Sequence, residues 1–253
     1  MLYREYLPDV ALRDVIACYW KFIAPSDIEA PFEHTAPPDG CVSLLFYHNP
    51  ILHLQQLLLI EPSVGVLKTM IMPGSIYVGV RFLPGALVCF FDIDAASLRD
   101  HGQVLPGDYS LKLLFRDLNA DFEDFKQLDS LLLQMKKSIP DPEVQKAVQM
   151  IWSSQGQIKI KDILRQAFVS ERPLQKRFRK AVGLSMKEFA RVCRMRTAMV
   201  QMVLHQHQSL ELSLNGGYYD QAHFLHDFQA FAHMKPGDLQ AYLQQIEHGD
   251  IHW

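Results

Sequence analysis

The stretch GYYDQAHFLHDFQAF, residues 217–231, decides how the second half of this chain is read. Gly217 opens it as a turn residue, and Asp220 stands where a helix N-cap belongs. Phe224, Phe228 and Phe231 then recur at helical spacing. The pattern predicts a turn feeding a short amphipathic helix, the shape of a helix that enters a DNA groove. Yet the stretch holds no Lys or Arg, so positive charge for such a partner has to come from elsewhere in the chain.

Charge is distributed unevenly. The 253 residues carry a formal net charge of -3. Residues 1–150 hold 12 basic and 19 acidic side chains, and residues 151–253 hold 13 and 9. Within the latter, residues 158–196 concentrate 12 basic against 3 acidic residues, whereas 197–253 hold Lys235 alone against six acidic ones. A basic block inside an acidic protein is the electrostatic footprint of a polyanion partner. The competing explanation on charge alone is a solvated helical face.

The first ~105 residues read as mostly β. CVSLLFY (41–47) is a short apolar run behind the turn signal PPDG (37–40), and GSIYVGVRFLPGALVCFF (74–91) is β-rich and broken by a turn at Pro84-Gly85. Residues 85–91 are compatible with either a strand or a helix. From Leu111 the periodicity turns helical, with two helices over 111–136. Two prolines in SIPDPE (138–143) place a boundary that gives domains 1–139 and 140–253. Every strong pattern beyond it is helical, and the expected fold is α+β: a β-rich N-terminal domain with helices, then an all-α domain. Cys18, Cys41, Cys89 and Cys193 are scattered without metal or disulfide spacing. The N-terminus has no apolar leader, and runs such as LQQLLLI (54–60) are too short to span a bilayer. A cytoplasmic protein without membrane contact is the expectation.

A second unit echoes the first. SERPLQKRFRKAVG (170–183) predicts a helix capped by Ser170 and closed by Gly183, with Leu174, Phe178, Ala181 and Val182 on one side. Arg172, Lys176, Arg179 and Lys180 fall opposite, with Gln175 on the flank. Arg and Lys suit guanine edges, Gln suits adenine, and all of them hold phosphate. The pairs Leu174/Phe178 and Phe224/Phe228 share a spacing, and the caps Ser170 and Asp220 lie 50 residues apart. Joined by the long helix 186–205, two such helices set about one duplex turn apart, ~34 Å, can enter successive major grooves.

These residues resemble the DNA-binding domain of AraC/XylS-type transcription regulators over about 158–243. Ser170, Leu174, Lys176, Arg177, Phe178, Gly183, Ser185 and Arg194 match its first unit. Gly217, Tyr218, Asp220, Gln221, His223, Phe224, Phe228, Phe231 and Pro236 match the second. PPDG and VGVRFLPGAL resemble a companion domain of one branch of these regulators, commonly a cupin-like barrel that senses a ligand or dimerises. The resemblance implies double-stranded DNA as partner, a small-molecule effector, a homodimer and no cofactor. It points to Arg172, Gln175 and Lys176 as base readers, with Arg179 and Lys180 added from the helical wheel. Gln221, Ala222, His223 and His226 occupy the matching places in the second unit.

Some positions depart from the family. His226 stands where Arg or Lys is usual, Phe168 replaces a turn Gly, Leu164 a small residue, Met186 a Pro and His233 a Gly. The second unit thus offers phosphates little, and a diverged interaction protein that keeps the fold without specific DNA reading is the rival function. The 11 histidines lack the spacing of a cupin metal site, His205 and His207 being the one tight pair. No nucleophile elbow, phosphate loop or paired carboxylate nominates an enzyme, and a cupin-like enzyme fused to a regulator domain ranks third. Trp20 is expected in the core rather than lining a ligand pocket, and Arg81, a charge inside an apolar strand, paired to an internal carboxylate rather than to an acidic ligand.

Overall fold

A computed structural model describes residues 1–98, 103–104, 124–167, 169–205, 218 and 220–248. The N-terminal part is built on a seven-stranded sheet. Its strands are β1 (Leu2–Tyr6), β2 (Ile16–Ile23), β4 (Ser43–Asn49), β5 (Leu54–Ile60), β7 (Ile76–Phe82), β8 (Gln103–Val104) and β9 (Glu247–His248). They run in the order β8-β5-β4-β7-β2-β1-β9, antiparallel except for the β1/β9 pair. A separate ribbon pairs β3 (Phe32–Ala36) with β6 (Leu67–Ile71).

Period-two alternation assigns the two faces of the sheet. Leu44, Phe46, Leu57, Leu59, Val78, Val80 and Phe82 share one core with Phe125, Leu128 and Leu132. The last two lie on helix α1 (Lys126–Met135), and Tyr19 donates to Asp129 of that helix at 2.6 Å. The alternate residues Ser43, Leu45, Tyr47, Leu58, Ile60, Tyr77 and Arg81 face a cavity closed by the ribbon. Gly85 takes φ +85 in the Pro84-Gly85 turn, and the segment after it resolves as a 3₁₀ turn at Leu87–Cys89.

The helical part comprises α2 (Pro142–Ser153), α3 (Ile160–Gln166), α4 (Glu171–Val182), α5 (Met186–His205), α6 (Gln221–Ala232) and α7 (Pro236–Leu243). Asp141 caps α2, with Pro142 in its first turn, where a missing N–H costs nothing. Ser185 and Glu188 form a reciprocal capping box on α5, Glu188 N–H donating to Ser185 Oγ (3.2 Å) and Ser185 N–H to the Glu188 carboxylate (2.8 Å). Of the two helices expected over 111–136, the second is α1, and the first lies outside the described residues. Gly217, Phe168 and the short segment before Gly217 lie outside them too.

The chain ends differently from the all-helical expectation. After α7, residues 247–248 leave the helical part and extend the sheet beside β1, Glu247 N–H donating to Met1 O at 3.0 Å. An edge strand with open backbone groups gains a partner there, a pairing across the whole chain that no local pattern announces.

The two parts are packed together. The helical core is continuous with Phe22, Ala24 and Ile71 of the sheet and ribbon. Gly40 (φ +73) lets the chain pass Phe189 of α5, since a Cβ there would stand 2.7 Å from the ring. Val66 N–H donates to Phe231 O at the end of α6 (3.3 Å). Thr35 N–H donates to Tyr242 Oη of α7 (3.2 Å), and that hydroxyl stands 2.6 Å from His34 Nδ1.

Candidate nucleic-acid interface and cavity

Helix α4 separates its residues by character. Leu174, Phe178, Ala181 and Val182 are buried, while Arg172, Gln175, Lys176, Arg179 and Lys180 are exposed. Gly183 closes the helix at φ +85, a left-handed value that glycine adopts without cost. Arg177 is held inward: its guanidinium pairs with the Asp141 carboxylate, Nε to Oδ2 at 2.6 Å. That hydrogen-bonded pair draws the Asp141 carboxyl below its ordinary range and raises Arg177. Thus α4 ties itself to the α2 N-terminus with one arginine and keeps four cations outward, none of them in an ion pair among the described residues.

Helix α6 repeats the geometry without the charge. Asp220 accepts from His223 N–H at 2.7 Å as N-cap, and His233 ends the helix in a left-handed conformation (φ 54) where a glycine would be unstrained. Phe224, Phe228, Phe231 and Ala232 are buried. Gln221, Ala222, His223, His226, Gln229 and Ala230 are exposed. Asp227, which makes the stretch look acidic in sequence, is turned to Arg191 of α5: Arg191 Nη2 stands 2.8 Å and Nε 3.0 Å from Asp227 Oδ1. The Arg191 guanidinium also lies 5.6 Å from the Phe231 ring centre. The outward face of α6 therefore carries no Lys, Arg, Asp or Glu, and the Arg191–Asp227 pair is a fastening that sequence reading missed because its members are 36 residues apart. Arg194 is a fastening as well, donating to Gly156 O at 2.5 Å.

The second feature is the cavity of about 530 Å³ between sheet and ribbon, within the ~300–1,000 Å³ range of small-molecule sites. Tyr3, Trp20, Phe22, Tyr47 and Tyr77 line it together with His34, Asp39, Glu61, Lys68 and Arg81. Trp20 is partly buried against the core and is also part of the cavity wall. It lies over Gly79, its cross-strand partner, so closely that a Cβ on Gly79 would stand 2.0 Å from Trp20 Cε2 and 2.3 Å from Nε1. The indole Nε1 is buried there with no hydrogen-bond partner among the described residues.

Arg81 is paired internally, as its place in an apolar strand suggested. Nη1 stands 2.6 Å from Glu5 Oε1, Nε 2.8 Å from Asp39 Oδ2, and Nη2 donates to Tyr3 Oη at 3.1 Å. The Tyr3 hydroxyl in turn donates to Glu5 at 2.6 Å. Burial raises Tyr3 and pushes the Cys18 thiol beside it up to about 12. All four cysteines are buried free thiols. Among the described residues no group of three His, Cys, Asp or Glu could hold a metal ion, and no helix is long and apolar enough to cross a membrane.

Residues 163–242 match the model of a helix-turn-helix domain. The C-terminal part of the chain is therefore a helix-turn-helix domain, a DNA-binding class, and its two units with their motifs make it one of the AraC type. Residues 4–103 match a model described as a domain of unknown function (DUF6597). Comparison with functionally curated proteins gives no match. Among solved structures, a transcriptional regulator with an AraC-type DNA-binding domain from Chromobacterium violaceum is 19% identical, covering 40% of this chain and 90% of its own, with a TM-score of 0.37. A variant of apo ToxT from Vibrio cholerae is 8% identical over 89% of this chain and 97% of its own, at a TM-score of 0.49. Wild-type ToxT bound to an unsaturated fatty acid is 12% identical over 90% and 93%, at 0.42. These likenesses are too distant to carry function.

Proposed function

We propose that this protein is a transcription regulator that binds specific double-stranded DNA through two helix-turn-helix units and answers to a small molecule held in the N-terminal cavity. The observation that carries the DNA half is the division of basic residues. Arg177, Arg191 and Arg194 are tied to Asp141, Asp227 and the Gly156 carbonyl, while Arg172, Lys176, Arg179 and Lys180 are left outward on one short helix. Arg172, Gln175 and Lys176, in the N-terminal half of α4, read bases, and Arg179 and Lys180 hold phosphate. On α6, Gln221 suits adenine and Ala222 a thymine methyl, while His223 and His226 add polar contacts. Affinity from counterion release comes mainly from α4. Domains 1–139 and 140–253 divide the chain between the two matched segments.

A selection from random duplex DNA on the full chain tests this. Two enriched boxes about one helical turn apart, ~34 Å, are expected. A single box would confine base reading to α4, and no enrichment would favour the interaction protein.

The effector half rests on a shared wall. The β3/β6 ribbon lines the cavity with His34 and Leu67–Ile71, and His34 and Thr35 of β3 also meet Tyr242 of α7, while Val66, just before β6, donates to Phe231 O of α6. Thr35 N–H donates to Tyr242 Oη, and the hydroxyl proton can go to His34 Nδ1 when the ring is in its neutral form. Burial supplies it, lowering the His34 pKa to about 4. A folded-state value below the free value of about 6.5 means that the unfolded chain takes up the proton first. The stability from this link is complete above that free value and falls as pH drops toward the folded one. Tyr242→Phe leaves two polar groups unpaired and is expected to cost about 1–2 kcal/mol in urea unfolding at pH 7. His34→Gln is expected to flatten the loss of stability between pH 7 and pH 5. Wild-type and His34→Gln curves that stay parallel over that interval would remove the link.

A further inference from the structure

Taking α4 and α6 as the two reading helices, we infer that residues 62–66 of the N-terminal domain set their placement relative to one another, and with it the spacing of DNA boxes that the protein accepts. This loop follows β5 and leads into β6, and it meets the C-terminal end of both helices. At α4, buried Pro62 lies against Gly183, where a Cβ would stand 2.6 Å from Pro62 Cγ and 3.0 Å from Ala95 O. At α6, Val66 N–H donates to Phe231 O at 3.3 Å, and a Cβ on Gly65 would stand 2.8 Å from the same oxygen. Carbonyls in the last turn of a helix have no donor within that helix, and here the loop supplies one.

The loop is short, braced and shared. From Pro62 to Gly65 the chain spans at most about 10 Å, so both helix ends are referred to one small piece of backbone. Ser63 braces it: its hydroxyl donates to Gly65 O at 2.6 Å and accepts from Gly65 N–H at 3.2 Å. Val64 and Val66 pack against the helical core. Helix α4 lies against α2, α5 and the 3₁₀ turn Ala95–Leu98 of the N-terminal domain, and among the described residues it makes no extensive contact with α6. The Arg191–Asp227 pair ties the middle of α6 to α5, and the loop holds its end.

Placement of the helix ends translates into box spacing. Two added base pairs turn the second box by about 70° around the duplex. A pair of helices held at one separation therefore accepts one spacing, and a loosened pair accepts several. Ile60, Glu61 and Ser63 also line the cavity, so the loop that fixes the helix ends belongs to the wall that a bound molecule would touch.

The test compares wild type, Gly65→Ala and Ser63→Ala as full-length chains. Gly65→Ala forces the loop and α6 apart, because the carbonyl of a packed helix cannot yield as the tip of a flexible side chain does. Ser63→Ala removes the brace without adding bulk. On duplexes carrying the two selected boxes, wild type is expected to favour one spacer by roughly tenfold over spacers two base pairs longer or shorter. Both variants are expected to reduce that preference to about threefold or less, with affinity for a single box unchanged. Thermal unfolding shows whether each variant folds, and Ser63→Ala carries both measurements should Gly65→Ala not fold. The second readout needs no DNA. Nitroxide labels at Lys180→Cys and Gln229→Cys, two exposed positions in a chain whose four native cysteines are buried, report the separation of the helix ends by pulsed electron paramagnetic resonance. One narrow distance is expected in the labelled parent, and a displaced or broader one when Gly65→Ala is added. If the selection yields a single box, the two-unit reading falls and the label distances alone decide. Distances that the loop variants leave unchanged, or a spacing preference that survives both variants, would overturn the inference.

Discussion

Changing Arg172 and Lys176 together to alanine is expected to lower affinity for the selected DNA site by about a hundredfold or more, because each good bidentate base contact is worth ~1–3 kcal/mol. Affinity for unrelated duplex should fall much less. The companion change, Arg179→Ala with Lys180→Ala, is expected to act the other way. It should weaken site and non-site DNA alike and reduce the slope of log affinity against log salt by roughly one per lost phosphate contact. The contrast follows from position. Arg172 and Lys176 sit in the N-terminal half of α4, where a recognition helix meets base edges, and Arg179 and Lys180 in its last turn. All four side chains are exposed, while Leu174 and Phe178 carry the packing at 1% and 0% exposure. Neither pair should change the unfolding midpoint by more than the few tenths of a kcal/mol usual for surface positions. Site affinity that survives the Arg172/Lys176 change would move the reading face off α4.

Much of this domain was legible because its signals are local. A cap, a closing glycine and a four-residue apolar spacing lie within one helix, so Asp220, Gly183, Leu174 and Phe178 could be placed from the string. What stayed hidden depends on partners far along the chain. Asp227 looked like a charge opposed to DNA because Arg191, which neutralises it, sits on another helix. The place of Trp20 in the cavity wall was hidden because the glycine that seats it, Gly79, lies across the β2/β7 register. The ribbon β3/β6 joins segments 31 residues or more apart, so the cavity wall and its contact with α7 had no local trace. Strand β9 pairs the two ends of the chain. Arg81 was the exception: a charge in an apolar strand demands a counter-charge wherever it is, and that demand is visible in sequence although Glu5 and Asp39 are not.

Arg81→Met is expected to destabilise the protein by about 3–5 kcal/mol at pH 7, the cost of stranding one member of a buried ion pair. Against a total stability of ~5–15 kcal/mol, that leaves little margin at physiological temperature. The cost comes from the carboxylates rather than from lost contacts of arginine. The Glu5 side chain is 1% exposed and Asp39 17%, so Glu5, which also accepts from Tyr3 Oη, loses its 2.6 Å counter-charge in a buried setting. A buried carboxylate in that state takes up a proton more readily than it does in the unfolded chain. Its folded pKa then lies above the unfolded one, so the variant should gain stability as pH falls from 7 toward 5. The double change Glu5→Gln with Arg81→Met removes the stranded charge and should recover a large part of the loss, as replacing whole buried pairs commonly does. Urea unfolding of wild type, both single variants and the double variant at pH 7 and pH 5 measures this directly. Additive losses in the double variant, or an Arg81→Met protein as stable as wild type at pH 7, would mean that the pair does not carry the cavity floor. A positive coupling would show that Arg81 is held by its own protein.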